Sequence, residues 1–251
     1  GDGRDGALTV SSNTTQSVAN SSCSGSSGST TLTLASASTF ANGQIVLVHQ
    51  TRGSGVGAWE INRISSGGGG TSLTLQFALS STYTDSGASQ AQVSRLPLYT
   101  SVTVNSSIIW SAPDWDGNAG GYGLFACKGI FTGTGILECD GYDQVQGGPV
   151  TNGGGFRGGT QETDASGNAW QGEGTDGGGS ISSSANGNGG GGGIASASAG
   201  AGGGNGAQGT GTGYSTGGNA VGNAELTSFC LGGGGGGGTG SGQDGGGWGG
   251  N

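Results

Sequence analysis

Lysine occurs once, at Lys128, histidine once, at His49, and methionine not at all. Charged residues make up 8% of the chain, and the formal net charge is −9. So few cations in an acidic background cannot hold a phosphate backbone, which excludes a nucleic-acid partner and leaves few sites for trypsin-like proteases. No apolar run approaches the ~20 residues that a membrane-spanning helix needs. Neither a methionine nor a signal peptide precedes Gly1, the pattern of a processed or trimmed N-terminus. Three prolines and no sustained Gly-X-Y phase exclude collagen.

Catalytic signatures are missing too. There is no GxSxG elbow and no GxxxxGK[ST] loop, and a single histidine without a CxxC pair makes no zinc site. Asp114 and Asp116 are too close in sequence to flank a glycosidic bond from two sides. His49 alternates with Val46 and Val48 in IVLVHQ, which predicts that it faces the other side of a strand from them. The chain reads as a non-enzyme.

What is abundant is glycine. Of 66 glycines among 251 residues, 24 fall in residues 1–150 and 42 in residues 151–251, with runs at Gly189 to Gly193 and Gly232 to Gly238. Glycine has no side chain to bury and loses the most entropy on ordering, so such tracts default to flexible linkers. Three features oppose that default. The tracts are interrupted by Phe156, Trp170, Ile181, Ile194, Tyr214, Val221, Leu226, Phe229, Leu231 and Trp248; charge is sparse; and Cys230 invites a covalent tie. Ordered glycine backbones must find hydrogen-bond partners. Polyproline-II-type helices of glycine, with ~3 residues per turn, bond to neighbours in every direction rather than internally. The expectation is therefore a packed polyglycine-II bundle over 151–251, joined by loops at Thr160 to Asn168, Ser180 to Asn188, Ala195 to Ala201, Thr210 to Thr216 and Asn219 to Phe229.

Residues 1–150 read as a β-rich domain. Runs at Thr31 to Leu34, Ile45 to His49, Trp59 to Ile64, Ser72 to Phe77 and Ala91 to Leu96 are separated by Gly, Ser and Asn clusters. A second set, Ser101 to Asn105, Ile108 to Ser111, Leu124 to Lys128 and Gly135 to Cys139, either continues a sandwich or forms rungs of a β-solenoid. No stretch carries a 3.6-residue apolar period, so the fold class is all-β with almost no helix.

Four cysteines in an acidic Ser/Thr/Gly/Asn-rich chain read as extracellular disulfides. A hairpin centred near Gly133 would place Cys127 opposite Cys139 and leave Cys23 and Cys230 to tie the two parts together or to join subunits. Asp114, Asp116 and Asn118 in DWDGN are alternating oxygen ligands before a turn, a candidate calcium loop set against an ordinary Asx/Gly turn; no other cofactor is expected. Asn13, Asn20 and Asn105 match the N-glycosylation sequon. Trp170, Tyr214, Phe229 and Trp248 are either surface-contact aromatics or wedges in the glycine packing. Ala7, Leu8, Thr9 and Val10 form a candidate assembly strand that a neighbouring subunit's sheet edge would accept.

GDGRDGALTVSS, FANGQIVLVHQTRGSGVGAWEINRI, LPLYTSVTVNSS, APDWDGNAGG and NGGGFRGG together resemble glycine-rich surface proteins of bacteria and archaea. The glycine-rich half also resembles the tail-tip adhesins of T4-like phages, whose packed polyglycine helices display receptor-binding loops; it departs from them in its long β part and its cysteines. A likeness to snow-flea polyglycine antifreeze proteins rests on glycine and cysteine alone, without their triplet repeat. These features imply an extracellular or cell-surface protein of one of two kinds. One is a structural subunit that self-associates into a filament, sheath or surface layer; the other is an adhesin or phage receptor-binding tip that recognises a glycan or protein.

Overall fold

The computed structural model describes residues 2–37, 39–139, 154–160, 168–194 and 198–239. Among the described residues all regular structure is β, in fourteen strands. β1 (Ala7–Val10) and β2 (Thr14–Thr15) open the chain. Six longer strands follow: β3 (Asn20–Ser24), β4 (Thr31–Leu34), β5 (Ile45–Arg52), β6 (Trp59–Ser66), β7 (Ser72–Leu75) and β8 (Gln90–Arg95). Short strands close the series: β9 (Leu98–Tyr99), β10 (Ser101–Val104), β11 (Ile109–Ser111), β12 (Ala126–Cys127), β13 (Phe131–Gly133) and β14 (Ile136–Glu138).

The middle six close into an antiparallel barrel in the order β3-β4-β7-β6-β5-β8. Period-two alternation fills it, because Leu32 with Leu34, Val46 with Val48, Leu73 with Leu75 and Ala91 with Val93 each share one face of a strand. Each such buried aliphatic side chain contributes on the order of 1.5–3 kcal/mol. Closure also removes the free edges that an open sheet would expose.

The remaining strands pair in parallel and make three stacked coils of a solenoid into which the barrel is inserted. β1, β10 and β13 stack as one face, β2, β11 and β14 as another, and β9 pairs with β12. Register aligns Leu8 with Val102 and Phe131, and Thr14 with Trp110 and Leu137. Val10, Val102, Val104 and Trp110 form the interior. This is the solenoid alternative for residues 101–139, and it overturns the expected hairpin. β13 and β14 lie in different sheets and each pairs in parallel with the preceding coil, so Cys127 and Cys139 are not cross-strand neighbours. No disulfide joins any of the four cysteines; Cys23 is sealed in the barrel, and burial pushes its thiol far above the usual range.

Beyond residue 153 the described glycine-rich backbone is packed, although it forms no regular helix or ladder. The tract 231–239 lies among four others and bonds to each with a three-residue period. Gly233, Gly236 and Thr239 donate to the carbonyls of Gly204, Ala201 and Ser198, and Gly234 and Gly237 donate to those of Glu173 and Trp170. In return Phe156 and Gly159 donate to Gly232 and Gly235, and Gly190 and Gly193 donate to Gly234 and Gly237. The tract therefore runs parallel to 154–160 and 186–194 and antiparallel to 168–175 and 198–205. Within 186–194 the bonding turns with the same period: Gly190, Gly191 and Gly192 donate in succession to Gly234, Thr216 and Ser182, three different neighbours.

Only glycine permits this approach. A Cβ on Gly233 would sit 1.8 Å from the Asn188 carbonyl oxygen, one on Gly203 1.9 Å from that of Gly233, and one on Gly234 1.9 Å from that of Arg157. Most of the described glycines beyond residue 153 are thus packing elements, and backbone hydrogen bonds take the place of an apolar core there.

Candidate functional site

The bundle has two unlike ends. At one, Phe156 and Leu231 leave the glycine tracts to pack with Leu47, Trp115 and Tyr122. Trp115 meets Phe156 edge-on, with ring centroids 5.7 Å apart. Beneath them Glu173, with its side chain 2% exposed, accepts from Arg52 Nη1, from Trp115 Nε1 at 2.9 Å and from Arg157 Nε at 2.9 Å. Gly53 N donates to the Thr175 carbonyl at 2.7 Å, which joins the barrel and bundle backbones directly.

His49 belongs to this junction. It is fully buried on the face of β5 opposite Val46 and Val48, with Nε2 donating to the Phe229 carbonyl at 2.7 Å and Thr51 Oγ1 3.2 Å from Nδ1. Burial lowers its pKa to about 4, only partly offset by the Phe229 bond, so the ring is neutral at pH 7. Phe229 lies 4.8 Å from the His49 ring and 5.4 Å from that of Tyr122. It packs between barrel and bundle, the wedge alternative of the two readings.

The other end is the Thr239 end of the tract 231–239. Ser198 is brought there by its bond from Thr239 N, and Ile194 by its carbonyl, which accepts from Ser198 Oγ. The 212–215 turn arrives beside them, with Ser215 Oγ donating to the Gly192 carbonyl at 2.8 Å and Thr212 Oγ1 to that of Ala199 at 3.4 Å. The Thr212 hydroxyl also accepts from Tyr214 N and Ser215 N at 3.3 and 3.0 Å, and Thr212 N donates to the Ser215 carbonyl at 2.8 Å. That pinned turn holds up Tyr214, 65% exposed. Among the described residues this end carries hydroxyls, backbone amides and one presented aromatic ring, and no formal charge. At ~3.1 Å per residue it lies about 25 Å from the junction.

The other predicted positions are placed as follows. Trp170 is half-buried, with Nε1 enclosed and unpartnered; Trp248 lies outside the described residues. Asp116 Oδ1 accepts from Asn118 N and Ala119 N at 2.7 and 2.8 Å, the Asx-turn arrangement, while Asn118 Oδ1 faces Gln90 Nε2 at 3.3 Å. Among the described residues no three acidic, histidine or cysteine side chains gather as metal ligands. Asn13, Asn20 and Asn105 are exposed. Ala7 to Val10 form β1, paired on one side with β10 and open on the other among the described residues. Cys139 and Cys230 border one groove of about 580 Å³ with Tyr122, Val221 and Phe229. Sequence reasoning gave Glu173 no role; an acid in a glycine tract, sixteen residues after Arg157, was the available signal.

No family model and no curated protein matches the chain. Among solved structures it is similar to the tailspike gp61 of Pseudomonas phage phi297, with a TM-score of 0.27 and 18% identity over 53% of this chain. The match spans 25% of the tailspike chain.

Proposed function

We propose that this is a non-enzymatic extracellular binding module in which a bundle of polyglycine-II-type helices carries a recognition surface away from a β base. The observation that carries this reading is the polarity of the bundle. Its buried salt bridges and the wedges Phe156 and Phe229 are at the junction, while the pinned, exposed Tyr214 is at the far end. A tyrosine held by hydrogen bonds loses little entropy on binding and offers both a flat face and a hydroxyl. Uncharged hydroxyls and amides around it suit a surface glycan or a polar protein loop. Labelled protein applied to a glycan array and to intact cells tests the reading. Discrete binding that falls in Tyr214→Ala, with melting unchanged, supports it; binding indifferent to that substitution counts against it.

A second reading, a subunit of an extracellular filament, sheath or surface layer, is favoured by the solenoid's edges. Among the described residues β1 and β2 at one end, and β13 and β14 at the other, lack a further partner. Phe131, Ile136 and Leu137 on the last coil are 49%, 53% and 46% exposed. Spacing limits how identical copies use these edges. Three coils at ~4.8 Å give a repeat of about 14 Å, whereas a six-stranded barrel with its side chains is roughly 20 Å across. Copies stacked in register would overlap at the barrel. An assembly of identical copies through the edges therefore takes a rotation of each copy about the solenoid axis. Filaments formed by the purified protein in the electron microscope would support this reading, and discrete particles would count against it.

A further inference from the structure

We infer that Thr51 and Gln92 join as an intramolecular ester, a self-formed covalent cross-link between β5 and β8 with His49 as its general base. The cross-link goes beyond the adhesin reading and does not depend on it. The starting point is register. His49 and Gln92 are direct partners in the antiparallel ladder. Thr51 follows His49 on the same face of β5, so the three side chains meet outside the barrel wall, opposite the face that carries Val46 and Val48. All three are 0% exposed. The bonds among them have only one direction. A carbonyl oxygen can only accept, so His49 Nε2, 2.7 Å from the Phe229 carbonyl, carries the ring proton and leaves Nδ1 as an acceptor. The Thr51 hydroxyl, 3.2 Å away, donates to Nδ1, and Gln92 Nε2 donates to the same Thr51 oxygen at 2.9 Å. Gly120 fixes which way the amide lies: its N–H donates to Gln92 Oε1 at 2.8 Å, and its carbonyl accepts from Nε2 at 3.2 Å.

That sequence of groups is the sequence of an acyl transfer. Thr51 Oγ1 is the nucleophile, His49 Nδ1 the base, Gln92 Cδ the electrophile, and the Gly120 N–H the donor that meets the developing oxyanion. The turn that aims this donor needs glycine, since residue 120 has φ +97° and a Cβ there would lie 2.0 Å from the Asp114 carbonyl oxygen. Gln92 Cδ is one C–N bond of ~1.33 Å beyond Nε2, so Thr51 Oγ1 stands about 4 Å from it at most. Rotation about the soft Cγ–Cδ bond turns the amide face towards the hydroxyl. As Oγ1 bonds to Cδ, its proton passes to His49 Nδ1. As the tetrahedral species collapses, the imidazolium gives that proton to the Gln92 nitrogen, the Cδ–Nε2 bond breaks and ammonia leaves. One hydroxyl and one amide become one ester and one ammonia, and no oxidant or other reactant is consumed. Burial lowers the His49 pKa to about 4, so the ring is neutral at pH 7 and Nδ1 can take the proton. Partners held in this way reach effective molarities on the order of 10⁵–10⁸ M, and the reaction has to occur only once per molecule. Ammonia is protonated and diluted on reaching water, which draws the exchange forward, and the enclosed site shields the ester from hydrolysis. The link also sits where load enters the barrel. Arg52 at the end of β5 pairs with Glu173, and Gly53 N bonds the Thr175 carbonyl, so a pull on the bundle reaches β5 first and the ester passes it to β8.

Intact mass and tryptic mapping of the whole protein, reduced and denatured, test this. The wild type should be lighter than its sequence by one ammonia. Trypsin should release residues 5–52 and 64–95 as one linked species, which hydroxylamine separates. Thr51→Val, which keeps the shape and loses the hydroxyl, should restore the full mass, whereas Thr51→Ser should still link. His49→Gln should slow linking by roughly 10²–10⁴-fold, the usual contribution of a positioned acid–base group, as followed by mass over time after expression. A folded wild type that keeps its full mass and yields the two peptides separately overturns the ester. A mass loss that survives Thr51→Val overturns it too, because the ammonia then came from elsewhere. Linking of His49→Gln at the wild-type rate removes the base from the mechanism and overturns the proposal as stated. Glycan binding through Tyr214 is a separate measurement, and the adhesin reading stands or falls on that alone.

Discussion

A single methyl group at Gly234 should unfasten the glycine bundle. In Gly234→Ala the new Cβ would lie 1.9 Å from the Arg157 carbonyl oxygen and 2.5 Å from its carbon. Ordinary contact needs ~3.4 Å, so the tracts 154–160 and 231–239 must separate by about 1.5 Å. That shift strains the bonds from Gly234 N to Glu173 O and from Gly190 N to Gly234 O, now 2.9 and 2.8 Å. Leaving such buried groups unpaired costs ~1–3 kcal/mol each, and overpacking adds ~1–3. The total, roughly 3–9 kcal/mol, is a large share of the ~5–15 kcal/mol that stabilises a typical domain and corresponds to a melting decrease of roughly 6–36 °C. Gly213→Ala is the control. Nothing lies within 4 Å of its Cβ and its φ is not positive, so it should be neutral or stabilise by ~0.4–1 kcal/mol. Differential scanning fluorimetry and protease resistance compare the two. Equal melting of both variants would refute backbone packing, because a solvated linker accepts either alanine.

Glu173→Gln removes the charge that holds Arg52 and Arg157, and breaking a buried pair in this way costs about 3–5 kcal/mol; hydrogen exchange at the Gly53 amide, bonded to Thr175, should accelerate as the bundle lifts. His49, the only histidine, has a folded pKa of about 4 against 6.5 unfolded. The unfolded chain therefore binds the extra proton between these values, and stability present above pH 6.5 falls by roughly 3 kcal/mol as the pH drops towards 4. Melting at pH 7.0, 6.0 and 5.0 should show that slope, and His49→Gln should flatten it. Iodoacetamide should spare Cys23 in the folded protein and label Cys127 and Cys230, as read by mass spectrometry; rapid labelling of Cys23 would contradict its enclosure in the barrel.

The strands that could be read from sequence were those with apolar alternation, and their partners were harder to read than their positions. TLTL, IVLVH, WEINRI and SLTL all lie in barrel strands. β3 went unread because NSSCS offers one apolar residue, Cys23, although it closes the barrel between β4 and β8. FTGTG between two apolar runs is a hairpin pattern locally, yet the chain there is advancing along a coil. The hydrogen bonds that decide this reach back about thirty residues, to Val102 and Trp110. Order in the glycine tracts was legible from Phe156 and Leu231, which turned out to be the anchors. The DWDGN segment mixed a turn with a core residue: Asp116 caps the turn, and Trp115, 1% exposed, is a centre of the junction. Its burial depends on Phe156 and Glu173, forty or more residues away, and no local pattern announces that.

Binding of the intact protein to a surface is the most direct test of the central claim. Biotinylated wild type, Tyr214→Ala and Gly234→Ala should be compared on one glycan array and one panel of intact cells. The account predicts discrete binding by the wild type, weaker binding by Tyr214→Ala despite unchanged melting, and loss in Gly234→Ala together with its lowered melting. No binding to any glycan or cell, with the wild type folded, would contradict it.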